Sequence, residues 1–397
     1  MNKLLPITPE KPKEQASRDI LVISRTFFPK EGGIEEYVYN RCLQEPSRVI
    51  LLTASYPGDA AFDKNQSFPI HRWKLPSFLP SGNLGSILKQ IINITCSFFL
   101  AIKLYFRYRY RSIEWAHGYD FPSLLLLSYL LPIQCFIYLH GNDVLCPLKN
   151  FWLRSLFQWT LQRCTGIVCN SNFTKDYLLH HCQCNSPIHV INPTVRPGKF
   201  TECIADARNT VRQKYGIPPS AIVILSVGRL VNRKGFDRVI ENLPLLLADG
   251  LDVHYLICGR GAIAEELKSL SQRLGVAQRV HFAGYVPDNH LASYYMASDL
   301  FGLLTYFDTK ADSIEGFGIV YLEAGYFGKP VIASRVGGVT DAVINGVNGI
   351  LVSPDSVDEI TQGLRQLCTN ADLRDRLGSA GKEIATRKTP FPTVAEY

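Results

Sequence analysis

The stretch AIVILSVGRLVNRKGF, residues 221–236, decides the fold. Residues 221–227 are almost wholly apolar, as a strand buried on both faces of a parallel sheet must be. Gly228 to Gly235 is a loop carrying Arg229 and Lys234, and residues 236–248 have helical spacing. Strand, loop and helix in this order make half of a βαβ unit, in which ligands collect at the carboxyl ends of the strands. A planar guanidinium and an ammonium at the mouth of a helix suit a diphosphate.

The alternation recurs on both sides. Toward the N-terminus DILVIS, residues 19–24, is a second buried strand. The Gly32-Gly33 pair after it lets the backbone approach a ligand before a helix starts near Ile34. Strands are expected at 48–53, 69–73, 112–116, 133–139 and 166–170. A long helix is expected at 84–110, where Ile87, Ile91, Ile94, Phe98, Ile102 and Tyr105 recur at three- and four-residue steps. Toward the C-terminus strands are expected at 252–258, 280–283, 300–304 and 330–333, then a charged helical tail at 357–387. Proline-punctuated INPTVRPG, residues 191–198, separates the two series and sets a boundary at 192–205. The fold class is therefore α/β with two doubly wound, Rossmann-like domains. The expected limits are a leader without fixed structure at 1–18, an N-terminal domain at 19–195, a C-terminal domain at 205–385 and a tail at 386–397.

A chain of 397 residues with 46% hydrophobic and 19% charged residues is globular, not disordered. Its net charge of +7 fits an anionic ligand or surface, and no aromatic-interleaved basic motif points to nucleic acid. Eleven cysteines, odd in number and scattered, with no apolar signal core in the first 18 residues, imply a reducing cytoplasm. His180, His181, Cys182 and Cys184 match no zinc spacing. The 19 uncharged residues 121–139 are long enough to raise a membrane span, but Pro122 and Pro132 divide them into a helix at 123–131 and a strand at 133–139. Lys103, Arg107, Arg109 and Arg111 close the long helix with no acid among them. They read either as capping of a helix C-terminus or as contacts to an anionic membrane.

Three further groups carry chemistry. In EGFGIVYLEA, residues 315–324, the glycines put Glu315 in a loop and Glu323 about one turn inside a helix, leaving the N–H groups of Gly318 and Ile319 free for an anion. His117 and the run His140-Gly141-Asn142-Asp143 fall at strand ends, where a ligand would lie. Gly259-Arg-Gly261-Ala-Ile-Ala264 has the dinucleotide fingerprint in its alanine-ended form and supports a nicotinamide-dependent oxidoreductase, although the next strand ends at Gly284 without the acid that fingerprint expects. A binding protein without turnover is a third reading.

With these motifs in order, the chain resembles the retaining glycosyltransferases of family 4, which have two facing Rossmann-like domains (GT-B). The resemblance rests on Gly32-Gly33-Ile34-Glu35, His117, His140–Asp143, Val227–Leu230 with Lys234-Gly235, Phe282–Val286, and Glu315 to Glu323 followed by Ala324. It implies a hexose donor such as GDP-mannose or a UDP-sugar, and a glycan, lipid-linked or small-molecule hydroxyl as acceptor. By resemblance Arg229 and Lys234 hold the donor diphosphate, Gly318 and Ile319 offer N–H groups, and Val286 lines the donor side. Glu323 reads the ribose, Glu315 the donor sugar, and Gly33 lets the first domain approach the phosphates. His117 hydrogen-bonds the sugar near the reacting carbon, and His140, Asn142 and Asp143 contact acceptor or sugar. The sequence has no Asp-X-Asp, so protein cations are expected to neutralise the diphosphate without metal or other cofactor. Asp341, where many relatives have Glu, and the wording around Ile319 are similar to mannosyltransferases acting on lipid-linked acceptors.

Overall fold

The computed structural model describes residues 18–76, 82–200, 206–310 and 313–387. The first sheet is built from β1 (Ile20–Ser24), β2 (Val49–Ala54), β3 (Ile70–Trp73), β4 (Ser112–Trp115), β5 (Gln134–Leu139), β6 (Gly166–Cys169) and β7 (Ile188–Val190). The second uses β8 (Ile222–Val227), β9 (Val253–Cys258), β10 (Val280–Gly284), β11 (Leu300–Leu303), β12 (Val331–Ser334) and β13 (Gly349–Val352). Their orders are β3-β2-β1-β4-β5-β6-β7 and β10-β9-β8-β11-β12-β13. All neighbours are parallel.

Residues alternate across a strand, so a doubly covered sheet needs apolar side chains at every position. In β1 and β2, Leu21, Ile23, Ile50 and Leu52 enter the core on one face. Ile20, Val22, Val49 and Leu51 enter that on the other. In each sheet the strand order reverses beside its first strand, between β1 and β4 and between β8 and β11. Connections leave in opposite directions there, which opens a crevice at the strand ends.

The 19-residue uncharged run is the helix Phe121–Leu130 followed by β5, both packed in the first domain. Pro122 lies in the first turn of that helix, where its missing N–H costs nothing, so the helix starts two residues before the expected position. The long helix is Asn83–Tyr108, ended by Arg109 in the left-handed region at φ 54. By length and composition it could cross a membrane. It packs against Phe121–Leu130, which packs in turn on Phe151–Arg163. The expected tail helix is two helices, Val357–Thr369 and Ala371–Thr386. They are divided at Asn370, whose side chain caps the second by accepting from the Leu373 N–H at 2.8 Å. That second helix packs on Ile319–Tyr326, with Gly325 against Gly381. The leader as far as residue 17 and the tail from 388 lie outside the described residues.

The domains also touch through a seam of backbone. A side chain on Gly316 would overlap the His140 carbonyl, and one on Gly338, which packs on the Gly316 carbonyl within its own domain, would come within 2.9 Å of Ser171 Oγ in the first. Gly141, at φ 99, brings the position of an added Cβ within 3.1 Å of Gly316 Cα. Beside them Asn142 Oδ1 accepts from the Ile314 N–H at 2.8 Å. Asp341 accepts from the Asn172 N–H at 2.5 Å, at the start of the helix Asn172–His181.

Candidate functional site

The two crevices face each other across a cleft of about 770 Å³, a size ordinary for small-molecule sites. On the second domain's wall, the turn after β8 brings Lys234 and Arg233 to Glu315, in the loop after β11. Glu315 Oε2 accepts from Lys234 Nζ at 2.6 Å and from Arg233 Nη1 at 2.7 Å. Burial would raise the Glu315 carboxyl, but the Lys234 and Arg233 charges outweigh it and bring its pKa down to about 2. Burial lowers the Lys234 pKa against the pull of Glu315. Arg229 is exposed and lines the cleft. Gly235, at φ 67, has no room for a side chain beside the Leu304 carbonyl, which fixes the turn under Lys234.

Gly318, at φ 89, caps the eight-residue helix Ile319–Tyr326, and both Gly318 and Ile319 line the cleft as expected from the turn. Glu323 lies within that helix at 2% exposure. Its Oε1 accepts from Lys199 Nζ at 2.8 Å and its Oε2 from the Tyr295 hydroxyl at 2.9 Å. Val286 also lines this wall, next to Tyr285, whose hydroxyl donates to Glu31 of the first domain at 2.7 Å.

On the first domain's wall, Gly33 opens the helix Gly33–Gln44, and a Cβ there would meet no protein atom within 4 Å. The space beside it is cleft. His140, Asn142 and Tyr119 also line this wall. His140 Nε2 faces the Ala116 carbonyl at 3.0 Å. With Nε2 as donor, Nδ1 is left as an acceptor. Burial lowers the His140 pKa against the pull of Asp143, which favours the neutral ring.

One expectation needs correction, and a second residue has part of its hydrogen-bonding capacity already taken. His117 is 1% exposed and is not among the residues lining the cleft. Its Nε2 accepts from the Arg25 N–H at 2.7 Å and its Nδ1 lies 3.2 Å from the Tyr119 nitrogen, so both ring nitrogens face the backbone and not a ligand. Burial, with Arg25 and His140 nearby, holds its pKa well below the usual value. Asp143 borders the cleft, yet its two oxygens accept from the N–H groups of Gly118 and His140, each at 2.7 Å. It braces the loops after β4 and β5 against each other, with one lone-pair site used on each oxygen.

The dinucleotide reading of Gly259 and Gly261 also has another cause. Side chains there would overlap the carbonyls of Gly228 and Leu230, so these glycines let two loops of the same domain pack together. Sequence reasoning did not single out Arg233, Tyr119, Tyr285 or Lys199. Arg233 stands next to Lys234 and could have been found as a third cation of the same loop. Lys199 is 124 residues from Glu323, and no local pattern announces that meeting. Among the described residues no group of three or more His, Cys, Asp or Glu side chains is placed to hold a metal ion.

Residues 207–384 match the model of "Glycosyl transferases group 1" and residues 31–199 that of "Glycosyltransferase Family 4". A GDP-mannose-dependent alpha-(1-6)-phosphatidylinositol monomannoside mannosyltransferase of Mycolicibacterium smegmatis is 35% identical over 192 residues, which is 48% of this chain and 50% of that protein. A GDP-mannose-dependent monoacylated alpha-(1-6)-phosphatidylinositol monomannoside mannosyltransferase of Corynebacterium glutamicum is 26% identical over 388 residues, 92% of this chain and 93% of that one. The match therefore spans about half the length of the first relative and nearly all of the second. Among solved structures, Anabaena HepE in complex with UDP and glucose has a TM-score of 0.74 at 20% identity over 95% of this chain and 96% of its own. Sucrose-phosphate synthase from Thermosynechococcus elongatus has 0.75 at 20% identity over 93% and 94%. At such identity these two speak for the fold alone. With each half of the chain matched in the order in which its two domains occur, the protein is a glycosyltransferase that belongs to family 4 and has the GT-B fold.

Proposed function

We propose that the protein moves a hexose, with retention and without a metal, from a nucleotide-diphosphate sugar to a lipid-linked or glycan hydroxyl, and that GDP-mannose is the first donor to test. The observation that carries this is the gathering of Arg229, Arg233 and Lys234 in one cleft-lining loop across from the open space at Gly33. Breaking the bond between the sugar's anomeric carbon and the diphosphate leaves negative charge on the leaving oxygen. Fixed cations and the N–H groups at the start of Ile319–Tyr326 stabilise that charge, doing the work a bridging metal would otherwise do. The sugar becomes cation-like, and the acceptor oxygen bonds to the anomeric carbon on the face the diphosphate leaves. The acceptor's proton passes to the departing phosphate. Glu323, holding the ribose, and Glu315, near the sugar, set the donor in place. Mannose and a phosphoinositide-type acceptor are supported by what the two mannosyltransferase relatives are named for.

The test is a panel of GDP-mannose, UDP-glucose, UDP-galactose and UDP-N-acetylglucosamine. Thermal protection by GDP or UDP is expected, together with release of nucleotide when donor and lipid acceptor are both present. Protection by NAD but by neither nucleotide would overturn the reading. Tight nucleotide binding with no turnover on any pair would leave a binding protein.

A second reading concerns where the acceptor is met. We infer that the outer face of the first domain rests on an anionic bilayer. Phe99 and Phe106 on Asn83–Tyr108, Leu130 on Phe121–Leu130, and Phe151 and Trp152 on Phe151–Arg163 are all more than half exposed on three helices packed side by side. Trp152 reaches 79%. Lys103, Arg107, Arg109 and Arg111 are exposed at the same helix end, and no acid occurs between Lys64 and Ile113. Exposed aromatics beside unopposed cations suit a lipid interface. A variant with those four cations neutralised and Trp152→Ser should bind anionic vesicles at least about tenfold more weakly than wild type in sedimentation. Equal binding would sink the idea.

A further inference from the structure

Resting on the donor reading above, we propose that Lys199 is a positioning residue for the nucleotide ribose. From the segment joining the two domains it fixes the Glu323 carboxylate, which makes ribose recognition depend on how the domains meet.

Lys199 Nζ lies 2.8 Å from Glu323 Oε1, 3.7 Å from Glu36 Oε2 and 3.8 Å from Asp288 Oδ1. Glu36 is on Gly33–Gln44 of the first domain, whereas Asp288 opens the helix Asp288–Ala297 of the second and Glu323 is on Ile319–Tyr326. One ammonium therefore touches carboxylates from three helices and two domains. Its neighbour Phe200 packs on Tyr295 and Phe327, with ring centroids 6.0 and 4.8 Å away. The segment is thus pinned to the second domain while the ammonium also reaches the first. The Lys199 side chain is 8% exposed and still lines the cleft.

A carboxylate offers about four lone-pair sites. Lys199 uses one on Oε1 and Tyr295 one on Oε2, which leaves one on each oxygen, the number needed for two neighbouring ribose hydroxyls. A glutamate side chain free to turn would lose rotamer entropy on binding; one already held by two donors loses less. Arg196 gives Glu36 and Asp288 a second counter-ion, donating to Glu36 Oε1 at 2.8 Å and to Asp288 Oδ2 at 3.2 Å. Removing the Lys199 charge therefore falls chiefly on Glu323.

The test is calorimetric binding of GDP and 2′,3′-dideoxy-GDP to the full chain, as wild type, Lys199→Met and Lys199→Gln. Wild type should prefer the ribonucleotide. Lys199→Met should cut that preference about tenfold, the size of one charge-assisted hydrogen bond, with dideoxy-GDP affinity changed by less than about twofold. Lys199→Gln keeps an N–H donor and should cut it about threefold; it decides the matter if the methionine variant does not fold. A preference unchanged in the folded variants, or both nucleotides weakened alike as a phosphate-attracting or purely structural lysine would give, overturns the proposal. If UDP protects the wild type and GDP does not, the same pair is run as UDP and 2′,3′-dideoxy-UDP; wild type that binds neither GDP nor UDP, or binds ribo- and dideoxynucleotide equally, instead overturns the donor reading beneath it.

Discussion

Glu114, buried, and Glu315, half-buried, are glutamates held by basic side chains, one in each domain, and they serve opposite ends. Glu114, on β4, takes a two-point grip from Arg41 at 2.8 and 2.6 Å and a third bond from the Tyr138 hydroxyl at 2.9 Å. Arg41 and Glu114 are about equally hidden, and together they fasten Gly33–Gln44 to the sheet. Burial alone would lower the Arg41 pKa, but Glu114 more than reverses it. Glu315 takes both its partners on a single oxygen at the edge of the cleft. Its role follows from the charges around it. Three cations in one short loop repel one another, and one carboxylate among them lets the loop hold its shape before any anion arrives.

That contrast can be broken in three ways. Glu114→Leu leaves Arg41 buried without a counter-charge and should cost about 3 to 5 kcal/mol of stability in denaturant unfolding, while nucleotide affinity of the folded protein stays within about twofold. Loss of affinity at unchanged stability would show that Glu114 belongs to the site after all. Lys234→Ala should do the reverse. Nucleotide-diphosphate binding by calorimetry should weaken by about 2 kcal/mol, near thirtyfold, with stability changed by less than about 1 kcal/mol. Unchanged affinity would remove Lys234 from the donor site.

The smallest effect is a pH dependence. The folded Glu315 pKa of about 2 lies below its ordinary 4.5, so its contribution is complete above pH 4.5 and drains away as pH falls toward 2. The stability gap between wild type and Glu315→Gln should therefore narrow between pH 6 and pH 3, by on the order of 1 kcal/mol. A gap constant over that range would mean that the cations do not act on Glu315 as their distances imply.

The parallel sheets were legible because their strands are apolar without interruption, and glycine and proline mark where they stop. The C-terminal wall was legible as well, since Arg229, Lys234, Glu315 and Glu323 stand within short motifs whose spacing fixes their relation to a helix start. His117 misled because a histidine at a strand end looks the same in sequence whether it faces the ligand or the layer behind it. Only the approach of the Arg25 N–H distinguishes the two. Asp143 has a bracing task that the sequence hides, because the backbone groups bonded to its oxygens come from two different loops. Tyr119, Tyr285 and Lys199 take their positions from contacts between domains or across loops, and such contacts have no period along the chain.

The glycine seam carries a consequence for recombination. Gly141 on one half and Gly316 on the other meet backbone to backbone, although 175 positions separate them, counting from Gly141 to Gly316, and Gly338 packs on the Gly316 carbonyl from its own half while facing Ser171 of the other. A hybrid joining the first half of this protein to the second half of a relative would inherit each half's core intact and could still fail to close, if either parent carries a side chain at its share of the seam. The two halves can thus be exchanged only as matched sets, with those three positions acting as the key.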